Sequence, residues 1–423
     1  VSQRPAPSSS GMPTVAMIGG GQLARMTHQS AIALGQCLRV LAGSPDDPAA
    51  AVSADVVLGS HDDLDDLLRA AEGAVALTFD HEGVPLVHLR ALEERGVAVR
   101  PPSAALQYAQ DKMLMRARLA ELGLPVPDFA DLAGERAAAR EALIAFGEAH
   151  GWQIVLKAVR GGYDGRGVWL IDPSAGSEQA RDEALAVFDA ADVVDGSTVL
   201  MVEQKVAMRR ELSAMIARSP HGQGAAWPVV ETVQRNGQCA VVIAPAPDLD
   251  PEVAQRAQQM ALGLADELGV VGDMAMELFE TDDGELLVNE LAMRPHNSGH
   301  WTMDGAVTSQ FEQHLRAVLD YPLGATAPLA GVVVMANVLG AGEAPAMSMD
   351  ERLHHLMARM PEAKVHLYGK AERPDRKVGH VNVVGRPGQS VDDVRERAER
   401  AAHWMSHGVW TDGWDPHGAS LDG

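Results

Sequence analysis

Only two of the 423 residues are cysteine, Cys37 and Cys239. They show no metal-ligand spacing and are too few for a disulfide framework, which points to a reducing, cytoplasmic setting. Apolar runs of about 18 residues, the length a membrane-spanning helix needs, are missing too. No start combines positive charge with an apolar centre, so no secretory leader is expected. Basic residues are scarce: 35 Lys and Arg against 58 Asp and Glu give a formal net charge of −23. Such an acidic chain repels nucleic acid and anionic membrane surfaces, and it holds an anionic substrate only where its few cations gather. A Walker A loop is also lacking. The single Gly-Lys dipeptide, Gly369-Lys370, is followed by Ala371 instead of the Ser or Thr that would hold Mg²⁺. Internal repeats are absent, and low complexity is confined to residues 1–11, a Pro- and Ser-rich stretch that reads as a disordered tail ahead of Met12.

What is present is patterned for an α/β protein. The chain is too long for one core, so roughly two to four domains are expected. Short strands are predicted at Thr14–Ile18, 40–42, Asp55–Leu58 and 74–79, with helices running toward Leu34 and over 62–71. That alternation implies a parallel sheet covered on both faces, closing near Pro101 and Pro102. One long helix is predicted over 104–122, ending at Gly123, and another over 135–150. Strands follow at 153–158, 168–171 and 199–203, with a helix around 178–190. Two longer strands, 272–280 and 285–291, flank a turn at Asp283-Gly284. Residues 322–328 read as a linker before a strand at 331–338 and a last domain.

Chemistry concentrates in a few places. Gly161, Gly162, Gly165 and Gly167, with Lys157 and Arg166, follow a strand and form a loop able to wrap phosphates, because glycine lets backbone N–H groups converge on anionic oxygens. A second glycine run, Gly19 to Gly21, lies between strand and helix, where a dinucleotide fold binds pyrophosphate. The second strand ends in Ala42-Gly43-Ser44, without the acid that would hold a nicotinamide ribose, so a tight turn or another phosphate-bearing ligand stays open. If Asp283-Gly284 is a two-residue loop, Glu277 faces Glu290 across the ladder. Like charges at such a distance repel unless a cation sits between them. Mg²⁺ suits these hard oxygens, with Asn289 adjacent; two solvated glutamates on an exposed face are the alternative. Next, Arg294, His296, Asn297, Ser298 and His300 form a polar shelf with no zinc-like spacing. Lys370, Arg373, Arg376 and Lys377 crowd together, as a solvated patch or a phosphate subsite.

These pieces resemble the ATP-grasp superfamily, and within it the N5-carboxyaminoimidazole ribonucleotide synthetases of purine biosynthesis. The strings that carry the resemblance are Gly20-Gly21-Gln22-Leu23, the loop Gly161 to Gly167, Asn289-Glu290-Leu291-Ala292, the run Arg294 to Thr302, and Arg376 to His380. The resemblance implies an α/β ATP-grasp fold: an N-terminal Rossmann-like domain over 12–108, an ATP-grasp domain over 109–330 with a small lid at about 152–213, and a small β-rich C-terminal domain over 331–423. It implies ATP, bicarbonate and 5-aminoimidazole ribonucleotide as substrates, Mg²⁺ as cofactor, and a homodimer. ATP would meet Lys112, Lys157, Gly162, Tyr163, Asp164, Gly165, Arg166, Gly167, Val168, Glu203, Gln204, Lys205, Val206, Glu211, Asn289 and Glu290. Glu277 and Glu290 would hold the metal. The ribonucleotide would meet Gln22, Leu23, Asp80, Glu82, Tyr163, Arg166, Arg294, His296, Lys370, Arg376 and Lys377, with Asp164, Arg166, Arg294 and His296 at the reacting groups. Three positions depart from the family pattern: Asp80 replaces a glutamate, and Ala24 and Asp375 each replace a glycine. A sister enzyme that formylates glycinamide ribonucleotide shares the scaffold, but the Gly-Gly-Tyr-Asp-Gly-Arg-Gly and His-Asn-Ser-Gly-His-Trp strings favour carboxylation.

Overall fold

A computed structural model describes residues 11–162, 165–191 and 199–415, and three sheets organise them. The first holds four parallel strands, β1 (Thr14–Ile18), β2 (Cys37–Ala42), β3 (Asp55–Leu58) and β4 (Ala76–Phe79), in the order β3-β2-β1-β4. Every position of β1 is buried, as a sheet covered on both faces requires. Ala16 and Ile18 enter one hydrophobic cluster, Val15 and Met17 another. The second face is closed partly by the distant helix Gln310–Val318, through Leu315 and Val318.

The second sheet is antiparallel: β5 (Phe129–Asp131), β6 (Ile154–Ala158), β7 (Val168–Leu170) and β8 (Leu200–Gln204), ordered β5-β8-β6-β7. Helices Arg136–Ala149 and Ser177–Ala191 back it through Leu143, Ala184 and Phe188. This small unit begins and ends earlier than the lid span of 152–213. Its β5 pairs with β8, whereas the strand beginning at Met208 joins the next sheet.

The third sheet has nine strands: β9 (Met208–Arg218), β10 (Gly224–Ala226), β11 (Val230–Arg235), β12 (Gln238–Ala244), β13 (Gly272–Thr281), β14 (Leu286–Ala292), β15 (Val333–Leu339), β16 (Lys364–Leu367) and β17 (Lys377–Val384). They run β14-β13-β9-β11-β12-β15-β17-β16, with β10 beside β9. The segment after residue 331 therefore extends the large sheet: β15 pairs with β12, Val333 opposite Ala244. It keeps a core of its own, with Val334 and Val381 packed against Trp404 and Met405 of helix Val391–His407.

The helix expected over 104–122 is two, Ser103–Gln110 and Lys112–Glu121. Asp111 between them is extended, at φ −131° and ψ 109°, and its carboxylate accepts the Leu114 N–H at 2.9 Å. An Asp free to cap a new helix ends the old one. Lys112 thereby becomes the first residue of the second helix. No helix of the described residues is long and apolar enough to cross a membrane.

Candidate active site

Five elements converge where the small sheet meets the large one: β6, β8, β13, β14 and helix Lys112–Glu121. At the centre lies a buried carboxylate. Glu203 of β8 takes Lys157 Nζ of β6 at 2.6 Å on one oxygen and Arg116 Nε at 2.6 Å on the other. Burial works against the charge of Glu203, yet the two cations outweigh it and hold its carboxyl below the usual range. Lys157 is pulled down, first by burial and also by Arg116 and Lys112, with Glu203 opposing. Glu203 thus spends its carboxylate on fixing Lys157 and Arg116, and its backbone is paired with both β5 and β6. Among the predicted nucleotide-binding residues it organises the site from behind. Arg116 is the residue the sequence reading missed; its one signal is the i, i+4 spacing from Lys112 on the same helix face.

The facing glutamates are present, and the route to them differs from expectation. The loop has three residues, not two: the Thr281 N–H donates to the Glu285 carbonyl at 3.0 Å, and Gly284 takes φ +79°. Left straight, that loop would set Glu277 against Asn289. A β-bulge between Glu277 and Leu278 makes Asn289 the extra residue and returns Glu277 to Glu290. The bulge also frees Asn289 for other partners. Its carbonyl accepts Arg116 Nη2 at 2.7 Å, and its Oδ1 accepts Lys157 Nζ at 3.1 Å. Glu290 pairs with Lys112. Burial, then Glu290 and Glu211, push the Glu277 carboxyl up to about 7. Two carboxylates held in mutual repulsion fit a divalent cation. Among the described residues no group of three His, Cys, Asp or Glu could hold a metal. Two carboxylates with the remaining positions left to substrate phosphates and water are how Mg²⁺ is commonly bound.

Glu211 and Ser213 of β9 lie on the same face, with Ser213 opposite Glu277. Ser213 Oγ meets Ser298 Oγ at 2.8 Å, and Ser298 Oγ meets His296 Nδ1 at 2.8 Å. The Ser298 N–H also donates to His296 Nδ1, which leaves the ring proton on Nε2, 3.3 Å from Glu277 Oε1. Burial, Arg294 and Lys377 pull His296 down to about 3. Gln310 clamps this loop, its Oε1 accepting the His296 N–H and its Nε2 donating to the His296 carbonyl. Arg294 Nε reaches Glu82 Oε2, just past β4, at 2.6 Å. The first sheet is thus joined to the cleft.

Asp80, a predicted substrate contact, caps a helix in this structure. Its two oxygens accept the N–H groups of Gly21, at 2.6 Å, and Ala24, at 2.9 Å, capping helix Gln22–Ala33. A carboxylate on those donors stands where a dinucleotide's pyrophosphate would bind, so the Rossmann-like turn is not a nicotinamide site. Leu23 lies on the same helix. Its side chain is buried against Met26, Phe311 and Tyr368. Gln22 Oε1, by contrast, accepts Lys370 Nζ, bringing the first glycine turn to the basic run. Lys377 begins β17 and acts electrostatically on both Glu277 and His296, whereas Arg376 is directed to the Ala371 carbonyl at 3.3 Å. Asp375 takes φ +59°, which explains the glycine the family has there: the position is left-handed, and Asp tolerates it.

On the glycine loop, Gly167 accepts the Ala158 N–H at 2.8 Å, Val168 pairs with Lys157, and Gly162 packs on the Arg166 carbonyl. Arg166 and Gly165 are exposed; Tyr163 and Asp164 lie outside the described residues. Gln204 ends β8, its N–H donating to Asp128 O at 2.8 Å, and Lys205 and Val206 form the link to β9.

Three family descriptions match the chain in order: ribonucleotide synthetase preATP-grasp domain over 12–110, ATP-grasp domain over 117–311, and phosphoribosylaminoimidazole carboxylase C-terminal domain over 333–397. The N5-carboxyaminoimidazole ribonucleotide synthase of Mycobacterium tuberculosis is 61% identical over 421 residues, spanning 100% of this chain and 94% of that protein. Its counterpart from Corynebacterium ammoniagenes is 50% identical, spanning 96% and 94%. Among solved structures, the Thermus thermophilus N5-carboxyaminoimidazole ribonucleotide synthetase superposes with a TM-score of 0.78 at 35% identity, over 95% of this chain and 100% of that one. The Aspergillus clavatus N5-carboxyaminoimidazole synthase, solved with ADP and 5-aminoimidazole ribonucleotide, gives 0.82 at 27% identity, over 93% and 98%. The chain belongs to the N5-carboxyaminoimidazole ribonucleotide synthase family and is an ATP-grasp ligase.

Proposed function

We propose that this ligase carboxylates 5-aminoimidazole ribonucleotide with ATP and bicarbonate, through carboxyphosphate, in purine biosynthesis. The observation that carries the reading is the register pair Glu277 and Glu290, set beside Lys112, Lys157 and the loop of Arg294 and His296. Bicarbonate is a poor electrophile, and phosphorylation gives it a leaving group. Mg²⁺ held by Glu277 and Glu290 would neutralise charge on the nucleotide phosphates. Lys157, locked by Glu203 and Asn289, and the backbone of the glycine loop stabilise the γ-phosphoryl group in transfer. Arg294 and His296 orient the bicarbonate and aminoimidazole groups, and by resemblance Asp164 and Arg166 act on the same groups. Lys370, paired with Gln22, binds the ribonucleotide phosphate. The same reading includes a homodimer, which sedimentation of the purified chain tests.

The deciding assay is phosphate release from ATP and bicarbonate, with and without 5-aminoimidazole ribonucleotide. Release that depends on both substrates is expected. Release with formate and glycinamide ribonucleotide instead would overturn the assignment in favour of the sister reaction. Glu290→Gln should abolish release while the melting temperature stays near that of the wild type. Near-normal turnover of that variant at low Mg²⁺ would remove the metal role.

A further inference from the structure

The loop joining β6 to β7 is held at its stem and again at its far side. At the stem, Arg160 Nε donates to Asp111 Oδ2 at 2.8 Å, and the Lys112 N–H donates to the Val159 carbonyl at 3.0 Å. At the far side, Gly165 rests on the turn between β11 and β12. A Cβ built on Gly165 would lie 3.1 Å from both the Cα and the carbonyl oxygen of Gly237. One built on Gly237 would lie 3.1 Å from the Cα of Gly165. The two backbones therefore touch with no side chain between them, and a Cβ on either would crowd the other.

The turn itself does not demand this. Asn236 at φ +53° and Gly237 at φ +74° are both left-handed, as in the tight hairpin turns that match strand twist. Asn tolerates that conformation as well as any side-chain-bearing residue does, so the hairpin alone would accept Asn at 237. What crowds it is the neighbour.

We propose that the Asn236-Gly237 turn is the seat for Gly165, and that Gly237 is a positioning residue for phosphoryl transfer. The proposal rests on the reaction given above. The glycine loop is carried by the small sheet and the seat by the large sheet, which also carries Glu277 and Glu290. Contact at Gly237 thus sets the returning limb, Gly165 to Gly167, relative to the paired carboxylates.

Gly237→Asn tests the seat, because it preserves a left-handed turn while placing a Cβ against Gly165. The variant should melt close to the wild type. Its kcat for ATP-dependent phosphate release should fall about 10- to 100-fold, as misplacement by an ångström can cause, with a raised KM for ATP. Wild-type kcat and KM for ATP in the folded variant would overturn the proposal. If the variant does not fold, hydrogen exchange on the wild-type protein decides. A non-hydrolysable ATP analogue with Mg²⁺ should slow exchange at residues 165–168 and 235–238 together, and slowing at 165–168 alone would overturn it. A wild type that releases no phosphate with bicarbonate and the ribonucleotide would defeat the reaction reading, and the exchange result would still decide the seat.

Discussion

Arg116 shows what a single side chain can do in a low-dielectric site. It is buried, it donates to Glu203 and to the Asn289 carbonyl, and through both it ties the small sheet to β14. Removing one partner of a buried ion pair leaves the other charge exposed to the full desolvation penalty, about 3 to 5 kcal/mol. Arg116→Met should therefore lose roughly 3 kcal/mol or more in urea denaturation. Phosphate release should fall with it, because Glu203 would then answer to Lys157 alone. Adding Glu203→Gln to that variant should lower stability further, because Lys157 then loses its buried counter-charge, and a double variant as stable as Arg116→Met would show that Glu203 does not hold Lys157. Spacing from Lys112 is the one sequence signal of Arg116 and does not single it out, since one arginine in an amphipathic helix looks like any other. Lys157 and Glu290 were legible because their neighbours, glycines in one case and a hairpin in the other, restrict what they can do. The capping role of Asp80 was not legible, because a carboxylate that caps a helix and one that binds a ligand are the same residue type.

Elements were legible where they announce themselves with local chemistry and misread where one residue serves two purposes. Asp111 breaks a continuous apolar pattern by capping the helix that begins at Lys112, and the same carboxylate takes Arg160 at the stem of the glycine loop. Asp111→Ala should cost about 1 kcal/mol for the lost cap. It should also raise the KM for ATP more than it lowers kcat, as thermal melting and steady-state kinetics would show. An unchanged KM would mean that the Arg160 pair does not order the loop. The β13–β14 hairpin teaches a different lesson. The expected pairing of Glu277 with Glu290 is observed, yet it comes from a three-residue loop offset by the bulge at Asn289. Turn length and bulges shift register by one each, and only the hydrogen bonds reveal that two such shifts cancel.

At the scale of the whole molecule, burial of neutral histidines makes stability depend on pH. His314 is fully buried, its Nδ1 accepting the Asp273 N–H and its Nε2 meeting Thr78 Oγ1 at 2.7 Å, and burial lowers its pKa to about 3 from 6.5. Below pH 6.5 the unfolded chain takes up a proton that the folded chain refuses, so stability falls as pH falls, by about 1.4 kcal/mol per pH unit for this group. Asp273 works in the opposite direction, since burial raises its carboxyl well above the ordinary value and folding then loses stability as pH rises through that range. The wild-type slope is a sum over such groups. The difference between wild type and His314→Gln isolates one of them. Denaturant unfolding between pH 5 and 6.5 should show a shallower slope for the variant by about 1 kcal/mol per unit, and equal slopes would show that His314 does not titrate on unfolding. The sequence by itself determined the alternating α/β order of the first sheet, because it arises from short-range periodicity, whereas the facing of Glu277 and Glu290 needed the bulge at Asn289. Tertiary structure alone decided that residues beyond 331 extend the large sheet, that Arg116 and Glu203 lock Lys157, that Asp80 fills the helix start, and that Gly165 meets Gly237. Each of these is a contact between segments far apart in sequence, whose partners are chosen by packing and by the need of every buried charge and N–H for a counterpart.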